Sequence, residues 1–110
     1  MEESKKSYAI IKVEFTKLDF FDGYKLQKEA EIYFKENIYN LIIDLSIVNY
    51  VSSRGLGILV DIHKKCQKSG KLILCGISDD VMSVFKLTVL NNFFIIVDNQ
   101  EEALKLINAE

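Results

Sequence analysis

The residues best suited to chemistry form one short run, Ser-Ser-Arg-Gly at residues 52–55, which follows an apolar stretch at residues 39–45 and a polar loop. The apolar stretch is typical of a strand buried on both faces, as in the centre of a parallel sheet. The loop leads into a helical pattern over residues 54–69. Ligands and partners gather at the carboxyl ends of such strands, and a helix start offers unpaired amides that favour anions. We call residues 52–57 the entry segment.

The entry segment also has a purely structural interpretation. In it, Ser52 or Ser53 caps the helix, and Gly55 and Gly57 allow the helix to pack closely on the sheet. The two glycines do not make a dinucleotide-binding loop, because the third glycine and the strand spacing are missing, and a Walker lysine motif is absent as well. Local chemistry alone leaves the structural cap and the functional site as alternatives.

The elements that must position this segment alternate along the chain. Apolar runs rich in β-branched and aromatic residues predict the strands, and apolar positions at helical spacing predict the helices. The predicted strands are residues 8–15, 39–45, 71–76 and 93–97, and the predicted helices are residues 24–36, 54–69, 79–88 and 100–107. The order β-α-β-α-β-α-β-α indicates an α/β fold with mainly parallel strands.

Short polar residues mark the expected ends of these helices. Asp22 is expected to cap the first helix, Ser78 the third, and Asp98 or Asn99 the last. Gly70 stands where a left-handed residue would end the long helix.

Length and composition limit the function classes. The chain has 110 residues, which predicts one domain over residues 1–110. A net charge of -2 and a pI near 5.4 argue against a nucleic-acid binder, which needs a basic face. We find neither a signal peptide nor an apolar run long enough to span a bilayer, so we expect a cytoplasmic protein with no membrane partner.

The remaining reactive side chains predict no catalytic or metal site. Cys66 and Cys75 lack the paired spacing that zinc ligands have, so they are interpreted as buried thiols. His63 follows Val60 and Leu59 at helical spacing, which indicates a histidine at the edge of the core. We therefore predict no metal, no cofactor and no enzymatic activity.

Two neighbours of the entry segment are candidate contacts for a partner. Asp19, with Phe20 and Phe21, precedes the first helix and is expected at the same end of the sheet, where exposed aromatics can anchor an interface. Ile58 falls to one side of the apolar face of the long helix, and an exposed isoleucine there would also be available for contact. In the alternative, a phenylalanine packs beneath the loop, and the helix buries a second stripe.

A longer motif around the entry segment resembles a known family. Residues 44–59 read DLSIVNYVSSRGLGIL, which is similar to the D-L-S-x-V-x-[FY]-[IM]-D-S-[ST]-G-L-G-x-L pattern of STAS domains of the anti-sigma-factor antagonist type. The similarity extends over about residues 9–106: it is good over residues 70–76 and the last third of the chain, and weak at the N-terminus, where the Leu18-Asp19 pair matches.

The resemblance implies a STAS fold: a mixed, mainly parallel sheet of four to five strands with about four helices. It also implies a regulatory protein that binds an anti-sigma factor, often a serine kinase, and so releases a sigma factor. The residues expected to touch the partner are Asp19, Tyr50, Ser52, Ser53, Arg54, Gly55 and Ile58. The expected oligomeric state is a monomer or a weak homodimer. The alternatives are a nucleotide-binding module and a structural STAS module in a larger signalling assembly.

The sequence departs from the family pattern at one decisive position. The family's phosphoacceptor, the residue before the first glycine, corresponds to Arg54, and arginine cannot accept a phosphoryl group. Either Ser53 or Ser52 is phosphorylated instead, or the protein binds its partner without a phosphate switch. We favour the second interpretation, in which Arg54, permanently positive, pairs with a carboxylate of the partner.

Overall fold

The structure is a computed structural model that describes residues 7–109, and strands and helices alternate through that range. The strands are β1 (Ala9–Lys12), β2 (Lys17–Leu18), β3 (Leu41–Asp44), β4 (Tyr50–Val51), β5 (Leu72–Cys75) and β6 (Ile95–Val97). The helices are α1 (Phe20–Lys35), α2 (Ser53–Cys66), α3 (Asp79–Leu87) and α4 (Gln100–Asn108), with a 3-10 turn (Leu90–Asn92) before β6. The predicted α/β class is confirmed.

Four strands form a parallel sheet in the order β1-β3-β5-β6, and β2 and β4 form a separate short parallel pair. At the centre of the larger sheet, Ile43 of β3 lies opposite Ile11 of β1 and Leu74 of β5. Every residue of β3 and β5 is buried. Burial on both faces explains why these strands, apart from Asp44 at the end of β3, are continuous apolar runs without alternation.

The sheet is covered on both faces, and neighbouring residues of one strand point to opposite sides. On one face, Ile43 belongs to the large core cluster that includes Leu59 of α2 and Phe85 of α3. On the other face, Ile42 belongs to a smaller cluster with Ala103 and Ile107 of α4. The helices α1, α2 and α3 thus share one side of the sheet, and α4 covers the other.

The predicted start of the first helix is wrong. α1 begins at Phe20, and the Oδ1 atom of Asp19 accepts a hydrogen bond from the amide of Asp22 at 3.0 Å. Asp19 is therefore the cap, and Asp22 lies inside the first turn. The two phenylalanines that follow Asp19 did not indicate a helix start, because aromatic residues favour strands.

The left-handed cap predicted at Gly70 is also wrong. Among residues 7–109 the glycine with a left-handed backbone is Gly76, whose φ is 73°. Gly70 has a steric role instead, since a Cβ atom there would lie 2.6 Å from the carbonyl oxygen of Tyr39. The chain turns from α2 into β5 through this close backbone approach.

The other boundaries shift by a few residues. The predicted loop at residues 46–53 contains β4, α2 ends at Cys66 before the predicted residue 69, and the last strand begins at Ile95. The caps predicted for the last two helices are confirmed, because Ser78 accepts from Val81 N and Asn99 accepts from Glu102 N.

Candidate functional site

The entry segment begins with a serine whose hydroxyl is fully engaged. The Oγ atom of Ser52 accepts a hydrogen bond from the amide of Gly55 at 3.1 Å and donates to the carbonyl oxygen of Leu18 at 3.4 Å. The same carbonyl accepts the amide of Ser52 at 3.0 Å. Ser52 therefore caps α2 and fastens its start to the end of β2, as the structural interpretation predicts.

Gly55 is required at its position by the same carbonyl group. A Cβ atom on Gly55 would lie 2.1 Å from the Leu18 oxygen, well inside van der Waals contact. Gly55 is buried, so it brings α2 against the β2–α1 connection and does not present a surface to a partner. At this residue, too, the structural interpretation is correct.

Three other residues of the entry segment face solvent. Ser53, Arg54 and Gly57 are exposed, whereas Leu56 is buried in the core. The guanidinium of Arg54 lies over the ring of Phe20, with 4.9 Å between its Cζ atom and the ring centre. The start of α2 thus displays one free hydroxyl and one positive charge beside an aromatic side chain.

Exposed aromatic side chains lie on the elements next to this charge. Phe20 is 55% exposed, and Phe21 packs edge-on against it with 5.4 Å between ring centres. Tyr24 and Tyr50 are also more than half exposed. Large exposed aromatics close to an arginine are typical of the residues that dominate binding energy at protein interfaces.

A groove of about 490 Å³ runs between α1 and α2 beside Arg54. We call it the aromatic groove. Phe20 and Tyr24 line it from α1, and Gly57 and Asp61 line it from α2. Sequence reasoning did not select Tyr24, although its helical spacing of four from Phe20 was available as a signal.

The expectation of an exposed isoleucine on α2 is wrong. Ile58 is only 8% exposed, and it packs against Gly23 of α1. A Cβ atom on Gly23 would lie 2.5 Å from its Cδ1 atom, so Gly23 makes room for it. Ile58 lines the aromatic groove from below and belongs to the core, because α2 buries a second stripe against α1.

Among the predicted contact residues, Tyr50, Ser53 and Arg54 are exposed, whereas the others are half-buried or buried, namely Asp19, Ser52, Gly55 and Ile58. Asp19 is half-buried as the cap of α1 and lies next to Leu18, which anchors Ser52. Tyr50, two residues before Ser52, projects from β4 and is 51% exposed. The structure gathers the β2–α1 and β4–α2 connections at one end of the molecule.

The start of α2 is electrically unlike the starts of the other helices described in residues 7–109. α1, α3 and α4 have acidic side chains in the first turn, whereas α2 has none there and has Arg54 instead. Carboxylates near a helix start offset its partial positive charge, so α2 leaves that charge uncompensated. The exposed start of α2 therefore favours an anionic group on whatever approaches it.

Asp44, the first residue of the DLS motif, has a structural role at the end of β3. Its carboxylate accepts hydrogen bonds from Ser46 N at 2.9 Å and from Gln100 Nε2 at 2.7 Å. Burial by itself raises the pKa of Asp44, but the hydrogen bonds from Gln100 and Ser46 outweigh it and lower the pKa. The ionised side chain ties the end of β3 to the start of α4.

The remaining candidate nucleophiles and bases lie in the core. His63 is 8% exposed and packs against Phe93 and Phe94, with ring centres 4.5 and 5.7 Å away. Cys66 and Cys75 are buried free thiols, and burial raises their pKa to about 12 and about 11. The predicted core histidine and buried thiols are confirmed.

Within residues 7–109, no three histidine, cysteine or acidic side chains come together as a metal site would require. None of the helices in that range has both the length and the apolar character needed to cross a membrane.

Comparison with known proteins gives consistent matches. The family model described as STAS domain matches residues 4–103. An anti-sigma-B factor antagonist of Listeria monocytogenes is 34% identical over 87 residues, which cover 77% of this chain and 75% of the relative.

Solved structures with this fold include a STAS domain anti-sigma-factor antagonist from Planctomyces limnophilus, with a TM-score of 0.79, 19% identity and coverage of 89% of this chain and 88% of that one. The anti-sigma factor antagonist SpoIIAA in its unphosphorylated form gives a TM-score of 0.78 at 20% identity, covering 99% and 95% of the two chains. The phosphorylated form of the Bacillus protein SpoIIAA gives 0.69 at 18% identity, covering 96% of each chain.

The fold, the DLS motif at the end of β3 and the match over residues 4–103 agree. The chain therefore belongs to the STAS domain family, and the relatives named above are anti-sigma factor antagonists.

Proposed function

We propose that this protein is a non-enzymatic antagonist of an anti-sigma factor and that its partner docks on the exposed start of α2. The observation that carries the proposal is the open display of Ser53 and Arg54, flanked by exposed aromatics, at the point where two connections meet. By binding the anti-sigma factor, the protein would free a sigma factor and so regulate transcription. The relative in Listeria supports this role by its name.

The docking surface in this proposal comprises Arg54, Ser53, Tyr50 and the aromatic groove. Arg54 supplies a charge that lacks an acidic neighbour in its own helical turn, and Phe20 and Tyr50 supply apolar area. A carboxylate on the anti-sigma factor would meet Arg54 in two-point hydrogen bonding, which arginine forms well. Burying the flanking aromatics around that pair would exclude water and strengthen it.

The hydrogen bonds of the two serines bear on whether phosphorylation controls binding to the partner. The hydroxyl of Ser52 accepts the capping hydrogen bond from Gly55 and donates one to Leu18, so phosphorylation of Ser52 would break both bonds. Ser53 is exposed and is the serine of the pair that a kinase could reach. With Arg54 at the usual acceptor position, we propose that the protein binds without being switched by phosphate.

Reconstitution with the purified anti-sigma factor of the same organism tests both parts of the proposal. We expect a stable complex by size-exclusion chromatography, and we expect it to persist after incubation with ATP. Mass spectrometry of residues 51–59 should then find no phosphate. Failure to form a complex with any anti-sigma factor of the organism would refute the antagonist role, whereas stoichiometric phosphate on Ser53 would refute only the unswitched mode.

A further inference from the structure

A second concave site lies at the far ends of α1 and α2. It is a hollow of about 340 Å³ lined by Glu31, Phe34, Lys35, Tyr39, Lys65 and Lys68, and we call it the lysine hollow. At 1.5 Å per residue, the run of α1 from Phe20 to Phe34 puts it roughly 21 Å from the entry segment. The lysine hollow is therefore separate from the proposed docking surface.

Its floor is aromatic. The rings of Phe34 and Tyr39 are stacked with 5.5 Å between centres and 19° between planes. Both side chains are half-buried, so one edge of the stack remains open to the hollow. A further flat ring can pack against that edge in the edge-to-face arrangement that aromatic rings favour.

Its rim is positive. Lys65 donates a hydrogen bond to Glu31 at 3.0 Å, and this bond is the main reason that the pKa of Glu31 is lowered. Lys68 lies over Tyr39, with 6.0 Å from Nζ to the ring centre. Among residues 7–109, no carboxylate pairs with Lys35 or Lys68. Two ammonium groups are thus available to a ligand.

Lysines near the carboxyl end of a helix commonly offset the helix dipole. A count of the charges shows whether any positive charge is left for a ligand. The three lysines exceed Glu31 by two positive charges. The carboxyl ends of α1 and α2 each carry an equivalent of about -0.5, so together they offset roughly one of these charges. Among the residues that line the hollow, a net positive charge of about one remains beside the aromatic floor.

We infer that the lysine hollow binds a small planar anion, namely an aromatic ring that carries one carboxylate or phosphate group. The ring would pack against the open edge of the Phe34–Tyr39 pair, and the anionic group would meet Lys35 and Lys68. The volume of the hollow is near the lower limit of about 300–1,000 Å³ for small-molecule sites, which suits a ligand of one or two fused rings.

Titration of the full chain with naphthoate, naphthyl phosphate and the neutral naphthalenemethanol, followed by amide-detected NMR, tests the inference. We expect at least one anion to give saturable shifts confined to residues 31–39 and 65–68, and the preferred anion identifies the head group. Lys68→Gln should weaken that binding about three- to tenfold. The control Lys105→Gln, on α4 and 70% exposed, should leave it unchanged.

Three results would overturn the inference. The neutral alcohol could bind as well as the anions, the shifts could centre on the aromatic groove, or Lys68→Gln could match Lys105→Gln in affinity. Because the site is distant from Arg54, none of these results affects the proposed antagonist role.

Discussion

Arg54 on α2 lies with its Cζ atom 4.9 Å from the ring centre of Phe20 on α1, so a cation–π contact joins the starts of the two helices. Both side chains are exposed, and such contacts are worth about 0.5–1 kcal/mol at exposed sites. The contact matters more for position than for stability. It holds the charge in one place above the aromatic groove, so that less side-chain freedom is lost when a partner binds.

The two serines of the entry segment should differ in their effect on stability. Ser52→Ala removes the cap of α2 and should lower the free energy of unfolding by about 1 kcal/mol. Ser53→Ala removes an exposed hydroxyl and should change it by less than about 0.5 kcal/mol. Urea denaturation of the pair measures the difference. A larger loss for Ser53→Ala would mean that the cap is assigned to the wrong serine.

The glycines Gly55 and Gly57 form a second matched pair. Gly55→Ala forces a Cβ atom against the Leu18 carbonyl and should cost about 1–3 kcal/mol. A Cβ atom on Gly57 meets nothing within 4 Å, so Gly57→Ala should stabilise the exposed helix by about 0.5–1 kcal/mol. In both thermal and urea unfolding, the change in the free energy of unfolding should be negative for Gly55→Ala and positive for Gly57→Ala. Equal effects would contradict the close approach of α2 to the end of β2.

Stability should fall as the pH drops below about 6.5, the ordinary pKa of histidine. Burial lowers the pKa of His63 in the folded protein, and its Nδ1 atom has no hydrogen-bond partner in residues 7–109. Between the lowered folded pKa and the unfolded pKa, the unfolded chain binds more protons, so the free energy of unfolding decreases as the pH is lowered. The slope is at most about 1.4 kcal/mol per pH unit. Above the unfolded pKa the histidine contributes no slope.

The variant His63→Leu provides the control for this pH dependence. It keeps an apolar side chain beside Phe93 and Phe94 but cannot titrate. Just below pH ~6.5, the free energy of unfolding of the variant should depend less on pH than that of the wild type. Asp44 affects stability in a different pH range. Its pKa is lowered, so its stabilising effect is lost only in stronger acid. Parallel slopes in the two proteins would exclude His63 as the cause.

Both cysteines should resist thiol reagents in the native protein. Burial raises the pKa of Cys66 to about 12 and that of Cys75 to about 11, and the thiolate is the reactive form. We expect reaction with a chromogenic disulfide at neutral pH to be no faster than global unfolding, and to become rapid for both thiols in denaturant. A thiol that reacts at once in the native state would show that its packing is open.

Much of the fold followed from local patterns. The buried strands β3 and β5 are continuous apolar runs, and Ser78 and Asn99 precede their helices as caps. The pair β2–β4 was not predicted, because strands of two residues carry no period and are defined only by their pairing with each other, which the sequence does not show.

The geometry of the candidate site followed only in part from the sequence. The entry segment follows from its motif, yet the role of Gly55 depends on the Leu18 carbonyl, thirty-seven residues earlier in the chain. Ile58 is buried because Gly23 lets α1 approach, and helical spacing within α2 carries no information about that neighbour. The lysine hollow likewise combines α1 and α2 residues that are distant in sequence.

Calorimetric titration of the purified anti-sigma factor with wild-type protein, Arg54→Glu and the control Lys105→Glu tests the role of the α2 start most directly. Arg54→Glu places a negative charge where a partner carboxylate is proposed, and like charges at an interface cost enough to weaken binding by at least about tenfold. Lys105→Glu makes the same charge change on exposed α4 and should bind like the wild type. Equal affinity of Arg54→Glu and the wild type would contradict docking at the start of α2.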